Sequence, residues 1–307
     1  MKSGAHSDFR DTKHFMNRRT FMTTAMALAV TASRRGWTAE PHRIEKVGIQ
    51  LYTVRDLLNQ DFDGIMSGIA AIGYKEVELG FYTDRPAKEV RATLDRLSLT
   101  SPSCAFYYSD LRDHWPRIME RCHTIGHRYI VIPSVDKEFR EQADGYKRAA
   151  EAFSHAGEIA AKAEIQLTYH NHWSEFVPDA KGKLPYDILL ENSDPKLLKM
   201  EMDLCWITVG GGDPLEYFAR YPGRFPLVHV KDLKSVPDRA LVRSGKFDGD
   251  SVIPVMTEAG SGVIDWKRIF AHSEQAGIKH YFVEHDQPKK PMESARLSYE
   301  YLSRLRF

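Results

Sequence analysis

From residue 46 onward, short runs of alternating or β-branched apolar residues recur, and segments with helical spacing follow them. This pattern predicts strands over 47–52 (VGIQLY), 74–79 (YKEVEL), 101–107, 129–133 (YIVIP), 165–171 (IQLTYHN), 199–204, 225–230 and 281–285 (YFVEH). Between and after them, helices are predicted over 63–72, 87–97, 115–125, 141–163, 186–192, 215–221, 266–275 and 292–304. Gly73, Gly126 and Gly277 stand where a left-handed residue closes a helix, and Asp265 stands at a helix start. Strands alternating with helices over roughly 250 residues fit an α/β fold of the (β/α)8 TIM-barrel type. The rival is an open doubly wound sheet, but no Gly-x-Gly-x-x-Gly opens the first helix. No linker divides the chain after residue 45, so 46–307 reads as a single catalytic domain. The long 233–262 connection has the length of a lid.

The 199–232 stretch (KMEMDLCWITVGGGDPLEYFARYPGRFPLVHVKD in one run) is a strand–loop–helix–strand unit, and its two strands place chemistry. Side chains alternate with a period of two, so Glu201 and Asp203 share one face, as do Leu227, His229 and Lys231. Across the chain, the strand ends offer Gln50 and Tyr52, Glu76 and Glu78, His170 and His172, Asp203, His229 and Lys231, and Glu284 and Asp286. In a parallel barrel the chemistry sits at these C-terminal ends. One histidine or glutamate at a strand end is ordinarily a satisfied loop residue, but such residues on adjacent strands form a candidate site. Two histidines with two carboxylates suit Mn2+, Zn2+, Co2+ or Fe2+ better than the oxygen-seeking Mg2+ or Ca2+. Such an ion would polarise a carbonyl and stabilise the enediolate formed when the adjacent carbon loses its proton.

Charge and composition narrow the partners. Lysine plus arginine exceed aspartate plus glutamate by one, so nothing favours nucleic acid, and a small-molecule substrate is expected instead. Cys104, Cys122 and Cys205 are too far apart for a zinc knuckle or a disulfide framework and read as buried thiols. Residues 1–39 read as an export signal and leader outside the fold. Arg18-Arg19-Thr20-Phe21-Met22 precedes a small-residue apolar run over 23–32, too short to span a bilayer. The paired arginines resemble a twin-arginine signal, which implies a periplasmic mature chain without a stable membrane anchor; homo-oligomers are compatible with all of this.

The stretches VGIQLYTVRD, YKEVELGFY, IQLTYHNHWSEF, EAGSGVIDW and YFVEHDQP, with the 200–232 run, resemble the xylose isomerase-like TIM barrel superfamily, specifically bacterial sugar phosphate isomerase/epimerases. The resemblance spans 47–288. It implies one divalent metal, Mn2+ first, held after strands five to eight by Glu, Asp, His and Glu. Asp203, His229 and Glu284 match the last three, whereas His170 stands where the first glutamate belongs. In the epimerases the two ligand glutamates also act as the acid–base pair, so the departure at His170 leaves two assignments. Either His170 binds metal with His172 or Glu175 as base, or His170 is the base and Glu175 the ligand. Glu78, Lys231, Tyr52, Trp173 and Glu175 are the substrate-binding candidates; Phe176 and Trp206 join the aromatic ones, and each aromatic reads equally well as core. Gly210-Gly211-Gly212 lacks the Lys-Ser/Thr of a phosphate loop.

These readings imply a carbohydrate isomerase or epimerase working through proton abstraction beside a carbonyl. The alternatives are a lyase that cleaves 3-keto-glycosides by β-elimination from the same enolate, and a non-catalytic sugar-binding barrel. A nucleic-acid-cleaving relative is disfavoured by the charge balance.

Overall fold

The computed structural model describes residues 42–307 except 81, 82, 84, 141, 143 and 245. The export-signal reading of 1–39 falls outside the described residues. Eight parallel strands close into a barrel: β1 Val47–Gln50, β2 Glu76–Leu79, β3 Thr100–Ala105, β4 Tyr129–Ile132, β5 Gln166–His170, β6 Leu198–Asp203, β7 Leu227–Val230 and β8 His280–Val283. Neighbours follow chain order, and β8 closes on β1 with Val47 opposite Tyr281.

The period of two divides each strand between two environments. Ile49, Val77, Ile130, Tyr169, Met202, Val228 and Val283 face outward into the apolar layer shared with the helices, all buried. The inward face carries Phe282, Leu227, Val131, Tyr129 and Ala105 as an apolar cluster, and the ionisable residues share that face. Gly48 makes that cluster fit, since a Cβ there would lie 2.6 Å from the Phe282 ring.

Most helices follow the expected spacing, and Gly126 ends one in the left-handed region (φ 94) with its N–H on the Cys122 carbonyl. Three segments differ. The helix expected from 115 begins at Tyr108 and runs to Ile125, with a kink at His114 (φ −136, ψ 27). Pro116 lacks the N–H that would bond back to that turn. The helix expected over 266–275 is two pieces, Trp266–Phe270 and Ser273–Ala276, separated where His272 leaves helical dihedrals (φ −108, ψ 14). The apolar run Leu204–Val209 is a short helix that periodicity alone does not reveal. Among the described residues no helix is long and apolar enough to cross a membrane.

The connection after β7 is structured. Asp232–Leu233 pairs antiparallel with Met256–Thr257, and the helices Arg239–Arg243 and Gly249–Val255 lie between them. One buried carboxylate holds its return to the barrel. Asp232 Oδ1 accepts the Leu233 and Ile264 N–H groups (2.9 and 3.1 Å). Its Oδ2 accepts the Gly260 N–H, the Gly262 N–H and the Trp266 indole N–H (3.0, 3.2 and 2.9 Å). Asp232→Ala strands these buried donors, so chemical denaturation should show a loss of about 3 kcal/mol or more. A loss below about 1 kcal/mol would mean that solvent replaces the carboxylate.

Candidate functional site

The strand register decides which ionisable groups meet. Asp203 lies opposite His229, His170 opposite Glu201, and Gln50 and Ser103 flank Glu78. Register partners in a parallel sheet point to the same side, so all of these side chains converge inside the barrel mouth. Asp203 caps the Leu204–Val209 helix, its Oδ1 accepting the Cys205 and Trp206 N–H groups at 2.9 and 2.7 Å. That bonding leaves Oδ2 for the cluster centre. Asn171 ties the ends of β5 and β6 together. Its Oδ1 accepts the Asp203 N–H (3.1 Å), and its amide donates to the Asp203 carbonyl (3.3 Å).

Around Asp203 Oδ2 stand His170 Nε2 at 4.0 Å, His229 Nδ1 at 3.9 Å and the Lys231 ammonium at 2.9 Å. His229 Nδ1 is also 2.9 Å from Glu284 Oε2. Lys231 is buried, 2.6 Å from Glu284 Oε2 and 2.8 Å from Asp286 Oδ1. It therefore pairs with these carboxylates. Beneath lie Glu78 and Glu201, both fully buried. Glu78 accepts from Gln50 Nε2 and Ser103 Oγ and lies 2.8 Å from His229 Nε2.

The charges follow from these neighbours. Burial drives the His170 imidazole well below its usual range, helped by the nearby His229 and His172. Burial opposes protonation of His229 as well, but Glu201 and Glu284 outweigh it and hold its pKa well above the ordinary histidine range. Glu284 is held well below the carboxylate range, because Lys231 and His229 overcome the penalty of burial. Burial raises Asp203, and Lys231 and His229 counter part of that rise. Lys231 stays protonated, since Asp203, Asp286 and Glu284 outweigh its burial.

The donor set fits a divalent ion. His170, Asp203 and His229 each bring one ligand atom within 4.8 Å of the others. Asp203 Oδ2 is buried and meets the Lys231 charge without accepting a well-directed hydrogen bond. A buried carboxylate oxygen with unused lone pairs beside two imidazoles suits Zn2+ or Mn2+ better than Mg2+ or Ca2+.

Of the remaining candidates, Tyr52, His172, Trp173, Glu175, Lys231 and Glu78 line one cavity of about 570 Å3 over the cluster. The His172 ring is 5.0 Å from that of His170 and 6.0 Å from Trp206. The Arg55 guanidinium covers Tyr52 at 3.8 Å, and Trp173 packs edge-on against Phe247. The Glu175 carboxylate is turned into its own loop. It accepts the Tyr169 hydroxyl (2.6 Å), the His172 N–H (3.1 Å) and the Ser174 hydroxyl (2.9 Å). Glu175 thus shapes the turn that carries His172, and His170 is the one of the two that stands among the ligand atoms. Sequence reasoning gave no role to Asn171. Its position inside Tyr-His-Asn-His was the available signal, but its partner on β6 is far away in sequence.

A metal ligand must give up its proton. Because His229 holds a proton at neutral pH, metal has to displace it, and affinity should rise as pH rises. Mn2+ titration calorimetry at pH 7 in buffers of unlike ionisation enthalpy should show proton release, and His229→Gln should abolish that component. Buffer-independent heats would mean that His229 is already neutral.

The comparisons with known proteins agree with this architecture. The inosose dehydratase of Geobacillus kaustophilus is 26% identical over 278 residues, covering 79% of this chain and 87% of that protein. A sugar phosphate isomerase/epimerase structure from Parabacteroides distasonis superposes with a TM-score of 0.69 at 27% identity, covering 89% of this chain and 97% of that one. The IOLI protein, solved with a zinc atom, shares the fold with a TM-score of 0.65 at 14% identity, over 83% of this chain and 95% of its own. The sequence pattern of the family described as Xylose isomerase-like TIM barrel matches residues 67–305, and with the closed eight-stranded barrel this establishes that the chain belongs to that family of enzymes.

Proposed function

We propose that this chain is a divalent-metal-dependent lyase. It removes the proton next to the carbonyl of a polyhydroxylated cyclic ketone or keto-glycoside and expels the oxygen substituent at the β-carbon. One observation carries the reading: the cavity is lined by chemically unlike groups, the His172 imidazole and the Lys231 ammonium, the latter clamped among Asp203, Glu284 and Asp286. An epimerase needs matched bases on opposite faces of one carbon, whereas an elimination needs one base and one acid.

His170, Asp203, His229 and Glu284 would hold the metal, which when bound supplies Lewis-acid polarisation of the substrate carbonyl. The chain's own groups do the rest. The His172 imidazole accepts the proton from the α-carbon, and the C–H electron pair passes into the enolate. The enolate collapses to a carbon–carbon double bond as the C–O bond at the β-carbon breaks. Lys231 lends a proton to the departing oxygen, and the cluster recovers it from His172 through solvent. The products are an unsaturated ketone and water or an alcohol, so atoms and charge balance. Trp173, Trp206 and Tyr52 offer aromatic surface to the C–H faces of the ring. The dehydratase names of the curated relatives support this outcome.

The second reading, isomerisation or epimerisation from the same enolate, is favoured by the sugar phosphate isomerase/epimerase structure at 27% identity. The twin-arginine reading adds that the enzyme works after export, where free sugars and glycosides are commoner substrates than sugar phosphates. Replacing Arg18 and Arg19 by lysine should then leave the precursor in the cytoplasmic fraction; unchanged fractionation would sink the export reading.

The reaction is tested by incubating the Mn2+-loaded protein in D2O with inososes, 3-keto-glycosides and ketoses, followed by NMR. The lyase reading expects loss of the β-substituent and a new vinylic signal. His172→Ala should slow turnover by about a hundredfold or more, the usual scale for a lost general base. Deuterium entering the α-carbon of an intact skeleton would favour the isomerase reading. The absence of both exchange and release would remove the enolisation chemistry.

A further inference from the structure

Glu78 and Glu201 are fully buried carboxylates with no part in the proton transfers above. Burial of such groups is costly unless they serve a partner. Their partners are the two histidines of the cluster. Glu201 Oε2 lies 3.2 Å from His170 Nδ1 and 3.2 Å from His229 Nε2. Glu78 Oε1 lies 2.8 Å from the same His229 nitrogen. The opposite nitrogen of each ring faces Asp203 Oδ2. The two imidazoles are therefore mounted in opposite senses, His170 through Nδ1 and His229 through Nε2. A neutral imidazole has one N–H and one lone pair, and the partner of one nitrogen fixes the role of the other.

We propose that Glu201 and Glu78 are the positioning residues of the metal centre: together they hold the His170 Nδ1–H and the His229 Nε2–H, so that His170 Nε2 and His229 Nδ1 are presented as lone pairs. This rests on the metal-dependent reading above. Glu201 serves both rings at once, and Glu78 serves His229 alone. Gln50 and Ser103, its register neighbours on β1 and β3, steady Glu78 from behind. A carboxylate behind a metal-bound histidine fixes the ring and raises its basicity, and losing it commonly weakens metal binding by about ten- to a hundredfold.

The rival assignment makes Glu78, Glu201 and His229 a second metal site. Their ligand atoms also lie within 4.8 Å of one another, and Glu201 Oε1 is buried without a hydrogen-bond partner.

The test uses the full chain labelled with 15N-histidine, read by long-range 1H–15N correlation without and with Zn2+, together with Zn2+ affinity by chelator competition. Wild type should show His170 as the Nδ1–H form in both states and His229 as the Nε2–H form once Zn2+ is bound, with one Zn2+ per chain. Glu201→Gln, whose amide also donates, should disturb the His170 tautomer and weaken Zn2+ by about ten- to a hundredfold. Glu78→Gln should weaken Zn2+ while altering His229 and sparing His170, a ring-specific split that a merely structural role would not give. It also serves if the Glu201 variant fails to fold. Unchanged tautomers and affinity in Glu78→Gln, or in a folded Glu201→Gln, overturn the proposal. So do two Zn2+ per wild-type chain, one of them lost with Glu201. Wild type that takes up no Zn2+ or Mn2+ overturns the metal reading itself, and the inference with it, before any variant is examined.

Discussion

Glu78, Glu201, Asp203, Glu284 and Asp286 crowd the mouth of the barrel, and all but Asp286 are buried. Burial and the neighbouring Glu78 push the Glu201 carboxyl well above the usual carboxylate range, and the charge that remains in this low-dielectric interior needs nearby cations and directed N–H groups. The structure supplies them close by: the Lys231 ammonium and the His229 imidazole at the end of β7, and the backbone N–H groups of Cys205 and Trp206 at the start of the helix that Asp203 caps. Removing a member of this balance exposes the remainder, which makes the site an electrostatic unit. A divalent ion adds positive charge to an arrangement that already has an excess of carboxylates.

The barrel is the device that makes this density possible. Its outward faces are apolar and held by the helix layer, so the cost of ordering the strands is met away from the chemistry. The inward face carries both the Phe282, Leu227 and Val131 cluster and the carboxylates Glu78 and Glu201, and Val131 lines the cavity together with those carboxylates. Asp232, next in the chain to Lys231, points away from this face and anchors the following connection. Adjacent residues on one strand end thus divide the work, one toward the reaction and one toward the scaffold, as a period of two requires.

Much of the architecture was legible in the chain. Alternating runs gave the eight barrel strands, and the same alternation placed Glu201 with Asp203 and His229 with Lys231. The glycine stops and the aspartate cap at 265 marked helix ends, because backbone dihedrals and unpaired N–H groups act locally. Segments set by non-local packing were less clear. The Leu204–Val209 helix is apolar on all sides and shows no period, and the break near His272 has no glycine or proline to mark it.

What the sequence determined by itself was which face of each strand a residue occupies, and hence that carboxylates and imidazoles would gather at one end. A period of two is a property of the single strand and needs no partner. Only the tertiary structure decided which of them touch. Lys231 reads from the chain as a substrate-binding candidate, and only the tertiary structure clamps it among Asp203, Glu284 and Asp286. Glu175 was read as a base or ligand, and the local fold spent its lone pairs on Tyr169, Ser174 and the His172 backbone. Glu201 became the shared neighbour of two histidines because β5 sets His170 opposite it, while His229 stands two residues beyond its β7 partner Leu227 and still reaches it at 3.2 Å. Register between strands distant in sequence is fixed by the closure of the whole barrel, and no local pattern encodes it.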